Sequence, residues 1–225
     1  MTTVKNKREL KELINQRIVR YGYNCNLNDI DVSKITDMSG LFQDSKFNGD
    51  ISEWDVSNVR DMSYMFDHSQ FDGDISKWNV SNVEEMSCMF RDSQFNGDLS
   101  KWDVSNVRYM NSMFSGSKFN GDLSKWDVSS VEYMDNMFSD TKFNGDLSKW
   151  DTSNVEGMSG VFYNSKFNRD ISDWDVSSVV NMNSMFSRSK FKGDLSKWNV
   201  SNVMYMIHMF YKSPLDGKEP SWYRD

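Results

Sequence analysis

Every tryptophan in this 225-residue chain is separated from the next tryptophan by 24 residues, without an insertion or a deletion. The tryptophans are Trp54, Trp78, Trp102, Trp126, Trp150, Trp174, Trp198 and Trp222. All the phenylalanines fall in two further columns with the same step, and all the methionines except Met1 and Met204 fall in two more. Such a strict period predicts a solenoid, in which each repeat forms one turn of the chain and stacks on its neighbours. An isolated turn could not bury these large side chains, whereas a stack of turns can.

Two shorter patterns lie within each turn. Residues 51–56 have the pattern I-x-x-W-x-V, whose end alternates as a short β-strand does. Residues 59–66 carry apolar side chains at helical spacing, which predicts a short helix with its apolar stripe turned inward. Asn120 and Gly121 are typical of a tight turn before the next repeat begins. The sequence therefore predicts an α/β solenoid with one short parallel strand and one short helix in each 24-residue turn.

The repeated phrase resembles a known family. Residues 71–90, FNGDISKWNVSNVEEMSCMF, are similar to the repeat of BspA-like leucine-rich-repeat bacterial surface proteins, the DUF285 type. The pattern I-x-x-W-x-V is similar to the L-x-x-L-x-L of leucine-rich repeats. The resemblance covers residues 23–214 and implies a right-handed solenoid with a parallel sheet on one face. It also implies display at the cell surface, adhesion and protein binding.

Both ends of the chain depart from the repeat, as the caps of a solenoid do. Residues 6–18 predict an amphipathic helix, and Asn6 with Glu9 has the spacing of a capping box. We therefore divide a single domain into an N-terminal capping helix in residues 1–22, an eight-turn solenoid in residues 23–214, and a C-terminal cap in residues 215–225.

Composition and charge exclude several classes of partner. The formal net charge of −7 argues against binding to nucleic acid or to an anionic membrane. The chain has no apolar run long enough to insert into a membrane, and its first residues lack the apolar core of a signal peptide. A cytoplasmic location is expected on that basis, although the resemblance implies the cell surface. Cys25 and Cys88 lie in different columns about two turns apart, so no disulfide is expected.

No motif of catalysis is present. The chain lacks G-x-S-x-G, Walker, G-x-G-x-x-G and H-E-x-x-H sequences, and His68 and His208 lie far apart along the solenoid. A glycosidase needs one pair of carboxylates at a defined separation, whereas every turn here offers the same pair. An acidic mimic of nucleic acid is disfavoured because lysines interrupt the acids. We therefore expect neither an enzymatic activity nor a cofactor.

Aspartates form two columns along the solenoid. The first contains Asp50, Asp74, Asp98, Asp122, Asp146, Asp170 and Asp194. The second contains Asp55, Asp103, Asp127, Asp151 and Asp175, with asparagine in two turns. Carboxylates about 5 Å apart would repel by roughly 1–3 kcal/mol. Hydrogen bonds from backbone N–H groups, a column of lysines, or bound calcium could each offset that repulsion.

Two exposed surfaces are candidates for binding a partner, which we expect to be another protein. The predicted strand face carries Lys77, Lys101, Lys125, Lys149, Asp103 and Asp127. A second face carries Arg108, Tyr109 and Tyr133, with the two tyrosines expected side by side. Tyrosine and arginine are enriched among residues that anchor interfaces. The sequence thus predicts a non-enzymatic protein-interaction or adhesion module, and the alternative is a calcium-dependent glycan or surface adhesin that uses the aspartate columns.

Overall fold

The computed structural model describes residues 1–224. Strand β1 (Thr2–Thr3) pairs in parallel with strand β2 (Ile30–Asp31), and helix α1 (Lys7–Tyr21) lies between them in the chain. Within residues 1–224 these are the only named elements, and α1 is neither long nor apolar enough to cross a membrane. The repeats are built from tight turns and from isolated bridges instead.

Successive repeats are joined in register by a row of parallel bridges, each linking residues 24 apart. The bridged residues are Asp37, Asp61, Glu85, Tyr109, Tyr133, Gly157, Asn181 and Tyr205. Backbone N–H groups also donate from one turn to the next, as Met62 does to the carbonyl of Glu85 at 2.9 Å. The predicted stack of 24-residue turns is therefore confirmed.

The strand predicted at residues 51–56 is wrong. The Trp54 N–H donates to the Ile51 carbonyl at 3.2 Å, so a tight turn replaces the strand. A strand would send Ile51 and Trp54, three positions apart, to opposite faces. The tight turn lets both side chains point into the core, where each is at least 96% buried. The bridges lie instead in the column of Asp61, seven residues after Trp54.

The helix predicted at residues 59–66 is also wrong, although the apolar side chains that suggested it are buried. Tyr64 has a φ of 58°, in the left-handed region, and an α-helix cannot continue through such a residue. The N–H of Phe66 donates to Met89 of the next turn at 2.9 Å rather than to a carbonyl four residues earlier. The spacing of the apolar residues in 59–66 therefore identified core positions but not the backbone conformation.

The core is a set of aromatic stacks that run along the solenoid. The Phe114 ring lies 4.3 Å from the Phe119 ring in the same turn and 5.8 Å from the Phe90 and Phe138 rings above and below it. Each tryptophan indole donates to a carbonyl 27 residues earlier at 2.8–3.2 Å. The repeated tryptophan therefore both fills the core and hydrogen-bonds to the preceding turn, which satisfies its only donor.

The N-terminal helix covers the first turn. Leu10 and Ile14 of α1 are buried in the core. The Asn6 side chain accepts a hydrogen bond from the Glu9 N–H at 3.0 Å, which confirms Asn6 as the N-cap. In a capping box the Glu9 carboxylate would accept from the N–H of Asn6. It accepts instead from the N–H of Lys5, one residue earlier, at 2.9 Å.

The chain beyond the eighth turn continues the tryptophan column. The Trp222 indole donates to the Leu195 carbonyl at 2.8 Å and stacks on Trp198 with ring centroids 6.3 Å apart. Asp225, the last residue of the predicted C-terminal cap, lies outside the described residues. Cys25 and Cys88 are both free thiols.

Glycine is expected to stabilise the solenoid where a serine occupies the left-handed region. Ser184 has a φ of 56°, a conformation that costs an L-residue roughly 1–2 kcal/mol. Because glycine loses more entropy on folding, Ser184→Gly should raise the free energy of unfolding by only about 0.5–1 kcal/mol. Urea denaturation of the wild type and the variant would measure this difference in the free energy of unfolding. The matched control is Ser115→Gly, where φ is not left-handed, and a gain of equal size there would contradict the explanation.

Candidate interaction surface

A row of positive and negative side chains lies beside the bridges of the central turns. We call it the Arg-Glu-Tyr strip, which comprises Arg60, Glu84, Arg108, Tyr109, Glu132, Tyr133 and Glu156. Most contacts in the strip join residues on successive turns, in the same column or in the next one. The strip exists only because the 24-residue register places these columns in line.

Two ion pairs connect neighbouring turns in the strip. Arg60 Nη1 lies 2.5 Å from Glu84 Oε1, and Arg108 Nη2 lies 2.7 Å from Glu132 Oε1. The side chains are between 31% and 66% exposed, so water and salt screen both pairs and they add little to stability. Their main effect is to hold each charged group in one place on the surface.

The two tyrosines stack, as the sequence predicts. The Tyr109 and Tyr133 ring centroids are 5.9 Å apart with 12° between their planes, and the Arg108 guanidinium lies 5.3 Å from the Tyr109 centroid. The Tyr133 hydroxyl donates to Glu156 Oε2 at 2.8 Å, and that hydrogen bond raises the pKa of Tyr133. Contacts within the chain therefore fix the orientation of both rings.

Glycine at position 157 explains where the tyrosine stack ends. A Cβ at this position would lie 2.8 Å from Cδ1 of Tyr133 and 2.5 Å from Oδ2 of Asp135. The Tyr133 ring therefore lies directly over the backbone of Gly157, and a side chain at position 157 would displace the ring. Burial raises the pKa of the adjacent Asp135 carboxyl, and its Oδ1 accepts from the Ser159 N–H at 2.7 Å.

A polar groove of about 660 Å³ follows the strip. Its lining residues are Arg60, Asn82, Glu84, Asn106, Arg108, Ser130, Glu132, Asn154 and Glu156. The Asn82 and Asn106 amides each donate to a backbone carbonyl of the preceding turn at 2.7 Å, which fixes the groove wall. Sequence reasoning selected Arg108 but missed its acidic partners. Opposite charges 24 residues apart in one column are the signal that could have found them.

The second predicted set lies apart from the strip. Lys77, Lys101, Lys125 and Lys149 are all exposed. Lys77 Nζ lies 4.0 Å from Glu53, and within residues 1–224 the other three have no carboxylate within ion-pair distance. Asp103 and Asp127 accept from the serine two residues later, through both the backbone N–H and the hydroxyl. In the described part of the chain, no hydrogen bond joins this set to the strip.

Hydrogen bonds within each turn account for the aspartate columns. Asp98 Oδ1 accepts from the Ser100 N–H at 2.8 Å, and Asp122 Oδ1 accepts from the Ser124 N–H at 2.9 Å. These backbone hydrogen bonds hold the pKa of both carboxyls below the ordinary aspartate value. Repulsion between the carboxylates could be offset in the three ways that the sequence suggests. Hydrogen bonds from backbone N–H groups are the one observed at every aspartate of the first column.

Calcium is not expected to alter stability. Within residues 1–224, no three His, Cys, Asp or Glu side chains are placed to hold one metal ion. A ligand that does not bind the folded state cannot stabilise it. Millimolar calcium, or a chelator, should therefore shift the melting temperature by less than about 1 °C. A rise of several degrees with calcium, reversed by chelator, would show that the aspartate columns bind the ion.

A family model covers almost the whole chain. The model described as "Mycoplasma protein of unknown function, DUF285" matches residues 9–118, 91–165 and 140–222. The chain belongs to the DUF285 family. The three overlapping matches agree with the tandem organisation of this DUF285 protein. No curated protein and no solved structure matches the chain.

Proposed function

We propose that this protein is a non-enzymatic protein-interaction module whose Arg-Glu-Tyr strip binds a partner protein. The observation that carries the proposal is the stacked Tyr109–Tyr133 pair, oriented by Arg108 and Glu156 beside a polar groove. Tyrosine and arginine that are rigid before binding lose little entropy in an interface. A stack of hydrogen-bonded turns is a rigid support for them.

The charges of the strip favour a protein over a nucleic acid. Glu84, Glu132 and Glu156 line the groove, where they would repel phosphate groups. The order of charges along the column is positive, negative, positive, negative, negative. A protein surface can present the complementary order, and such complementarity sets both orientation and specificity.

The proposal has three further parts. Catalysis is not expected, because the charged side chains of the strip are paired with one another rather than aimed at a shared point. A right-handed winding is favoured because connections between parallel neighbours are right-handed in about 98% of cases. The family resemblance favours adhesion, with the partner met at a cell surface.

Partner capture with matched variants tests the proposal. Protein captured by the wild-type chain from lysate and surface fractions would be purified, and its affinity measured by calorimetry. Tyr109→Ala/Tyr133→Ala should weaken binding by about 2 kcal/mol or more, the usual loss for an interface anchor. Tyr21→Ala/Tyr23→Ala is the control, because both tyrosines are exposed, at the end of α1 and just after it, and lie outside the strip.

A third variant separates the two predicted surfaces. Lys101→Glu/Lys125→Glu/Lys149→Glu reverses charge on the Lys/Asp set without touching the strip. The strip proposal expects little change in affinity for this variant. If the lysine variant loses the partner and the tyrosine variant keeps it, the strip is the wrong surface.

A further inference from the structure

A second column of lysines lies immediately before the second phenylalanine of each turn. Lys118, Lys142, Lys166 and Lys190 occupy this column in four successive turns, and all four are exposed. Within residues 1–224, none has a carboxylate within ion-pair distance. The backbone N–H of Lys166 donates to Thr141 at 3.1 Å, and that of Lys190 donates to Ser165 at 3.2 Å. Their backbones are therefore held while the ammonium groups remain available.

Other cations extend the column toward the C-terminal end. Arg188, Lys192 and Lys212 are exposed in the two columns on either side of it. We call the seven residues the basic face, which comprises Lys118, Lys142, Lys166, Arg188, Lys190, Lys192 and Lys212. Across these three columns between residues 116 and 212, Asp140 is the single acid. A protein of net charge −7 thus concentrates positive charge along one line.

The polar groups beside the basic face act mainly as donors. Asn144 Oδ1 accepts from the Asn168 N–H at 2.9 Å, and Asn168 Oδ1 accepts from the Lys192 N–H at 3.0 Å. The amide carbonyls are used inside the solenoid, which leaves the NH₂ groups to donate. Asp140 is also engaged, because its Oδ1 accepts from the Asn164 amide at 2.7 Å. A ligand rich in acceptors fits such a surface.

A hollow of about 680 Å³ lies at the start of the basic face. It is lined by Asp72, Gln94, Asn96, Gly116, Ser117, Lys118, Asp140 and Lys142. Gly116 has no side chain in a column where the flanking turns carry Asp92 and Asp140. The Asp92 carboxylate of the preceding turn lies where a Cβ at position 116 would be, so the glycine makes room for that side chain beside the first two lysines of the column.

The spacing of the lysines decides which acceptor-rich ligand fits. Each lysine precedes a phenylalanine, and the Phe119, Phe143, Phe167 and Phe191 ring centroids are 6.2–6.5 Å apart. Side chains on one face of an extended polypeptide repeat at about 6.6 Å, twice the rise per residue. Duplex nucleic acid carries one charge per about 1.7 Å of its axis, which a single row of lysines does not match.

We propose that the basic face binds an extended acidic polypeptide segment with Asp or Glu at alternate positions, one carboxylate to each turn of the solenoid. This site is separate from the Arg-Glu-Tyr strip, because it lies in other columns and has a uniform positive charge. The partner is recognised by charge and spacing along the solenoid axis. Binding is expected to weaken as salt rises, because the contacts are exposed ion pairs.

Fluorescence anisotropy with a labelled peptide tests the proposal. The probe has glutamate at alternate positions and is about ten residues long, enough to span four turns. Lys118→Gln/Lys142→Gln/Lys166→Gln/Lys190→Gln should raise its Kd at least about tenfold in about 0.1 M salt. The matched control is Lys77→Gln/Lys101→Gln/Lys125→Gln/Lys149→Gln, which removes the same charge from the other lysine column and should change the Kd less than about twofold.

Several results would overturn the proposal. Equal losses in the two quadruple variants would mean that net charge, not the basic face, governs binding. Absence of wild-type binding at about 1 mM peptide would mean that the face does not bind acidic segments. A labelled single-stranded oligonucleotide and a sulfated polysaccharide are run in parallel. Tighter binding of either one than of the glutamate peptide would assign the face to another class of macromolecule.

Discussion

Asp67→Ser is expected to lower the free energy of unfolding by about 2–4 kcal/mol at neutral pH. The Asp67 side chain is 1% exposed, and the Arg91 guanidinium donates to both its oxygens at 2.8 and 2.9 Å. The Gln43 amide donates at 3.0 Å, and His68 Nδ1 lies 2.7 Å away. These contacts join three successive turns. Removing the carboxylate leaves Arg91 without its partner in a half-buried position.

A double-mutant cycle would show whether the loss arises from the pair. Serine occupies this column in later turns, at Ser115, Ser139 and Ser187, so it suits the backbone. Arg91→Ser alone should also destabilise, because it leaves a buried carboxylate without its main partner. The double variant Asp67→Ser/Arg91→Ser should cost less than the sum of the single variants. Strict additivity in urea denaturation would mean that the two groups act independently.

The effect of Asp67 should depend on pH in a defined direction. Burial alone would raise the pKa of Asp67, but hydrogen bonds from Arg91, His68 and Gln43 outweigh it and hold the pKa below the ordinary value. A carboxyl with a lowered folded-state pKa contributes stability above its unfolded pKa, near 4, and loses it as pH falls through the folded pKa. The stability difference between wild type and Asp67→Ser should therefore shrink below about pH 4.

Phe114→Ala is expected to cost about 3–5 kcal/mol, the usual range for a buried phenylalanine. Phe114 is fully buried in a central turn and contacts Phe119 within the turn, Phe90 and Phe138 in the neighbouring turns, and Trp126 at 6.2 Å. The cavity would open in the middle of a stack whose turns are stabilised only by their neighbours. The variant should therefore weaken the coupling between the two halves of the solenoid.

Urea denaturation followed by circular dichroism would measure both the loss and the coupling. A lower slope of free energy against urea, or two separate transitions, would indicate that the halves unfold apart. Phe210→Ala is the control, because Phe210 lies in the last complete turn. Within its column, it stacks on Phe186 of the preceding turn and no phenylalanine follows it. That variant should release the C-terminal end and leave the remaining turns cooperative. Identical behaviour of the two variants would contradict nearest-neighbour stacking.

The sequence predicted which residues form the core better than it predicted their backbone. Ile51, Trp54 and Phe66 are buried as their columns indicate. The patterns typical of a strand and a helix were nevertheless wrong, because inward-facing residues three or four apart can also be placed by consecutive tight turns. Left-handed residues such as Tyr64 and Ser184 make those turns, and neither residue type signals that conformation.

The candidate surface was predicted in part. The adjacency of Tyr109 and Tyr133 followed from the period alone, and the structure places their rings in a stack. The pairing of Arg108 with Glu132 and of Asp67 with Arg91 also joins residues 24 apart. The opposite charges are visible in their columns, but the sequence does not show that the side chains turn toward each other.

By itself, the sequence determined that the chain stacks in 24-residue turns, which columns fill the core, and that an N-terminal helix begins at a capping asparagine. These properties follow from spacing and apolar character, which are written along the chain. Only the tertiary structure decided the path of each turn and the partner of each charge. Both depend on hydrogen bonds between successive turns, and those bonds exist only after the turns have stacked.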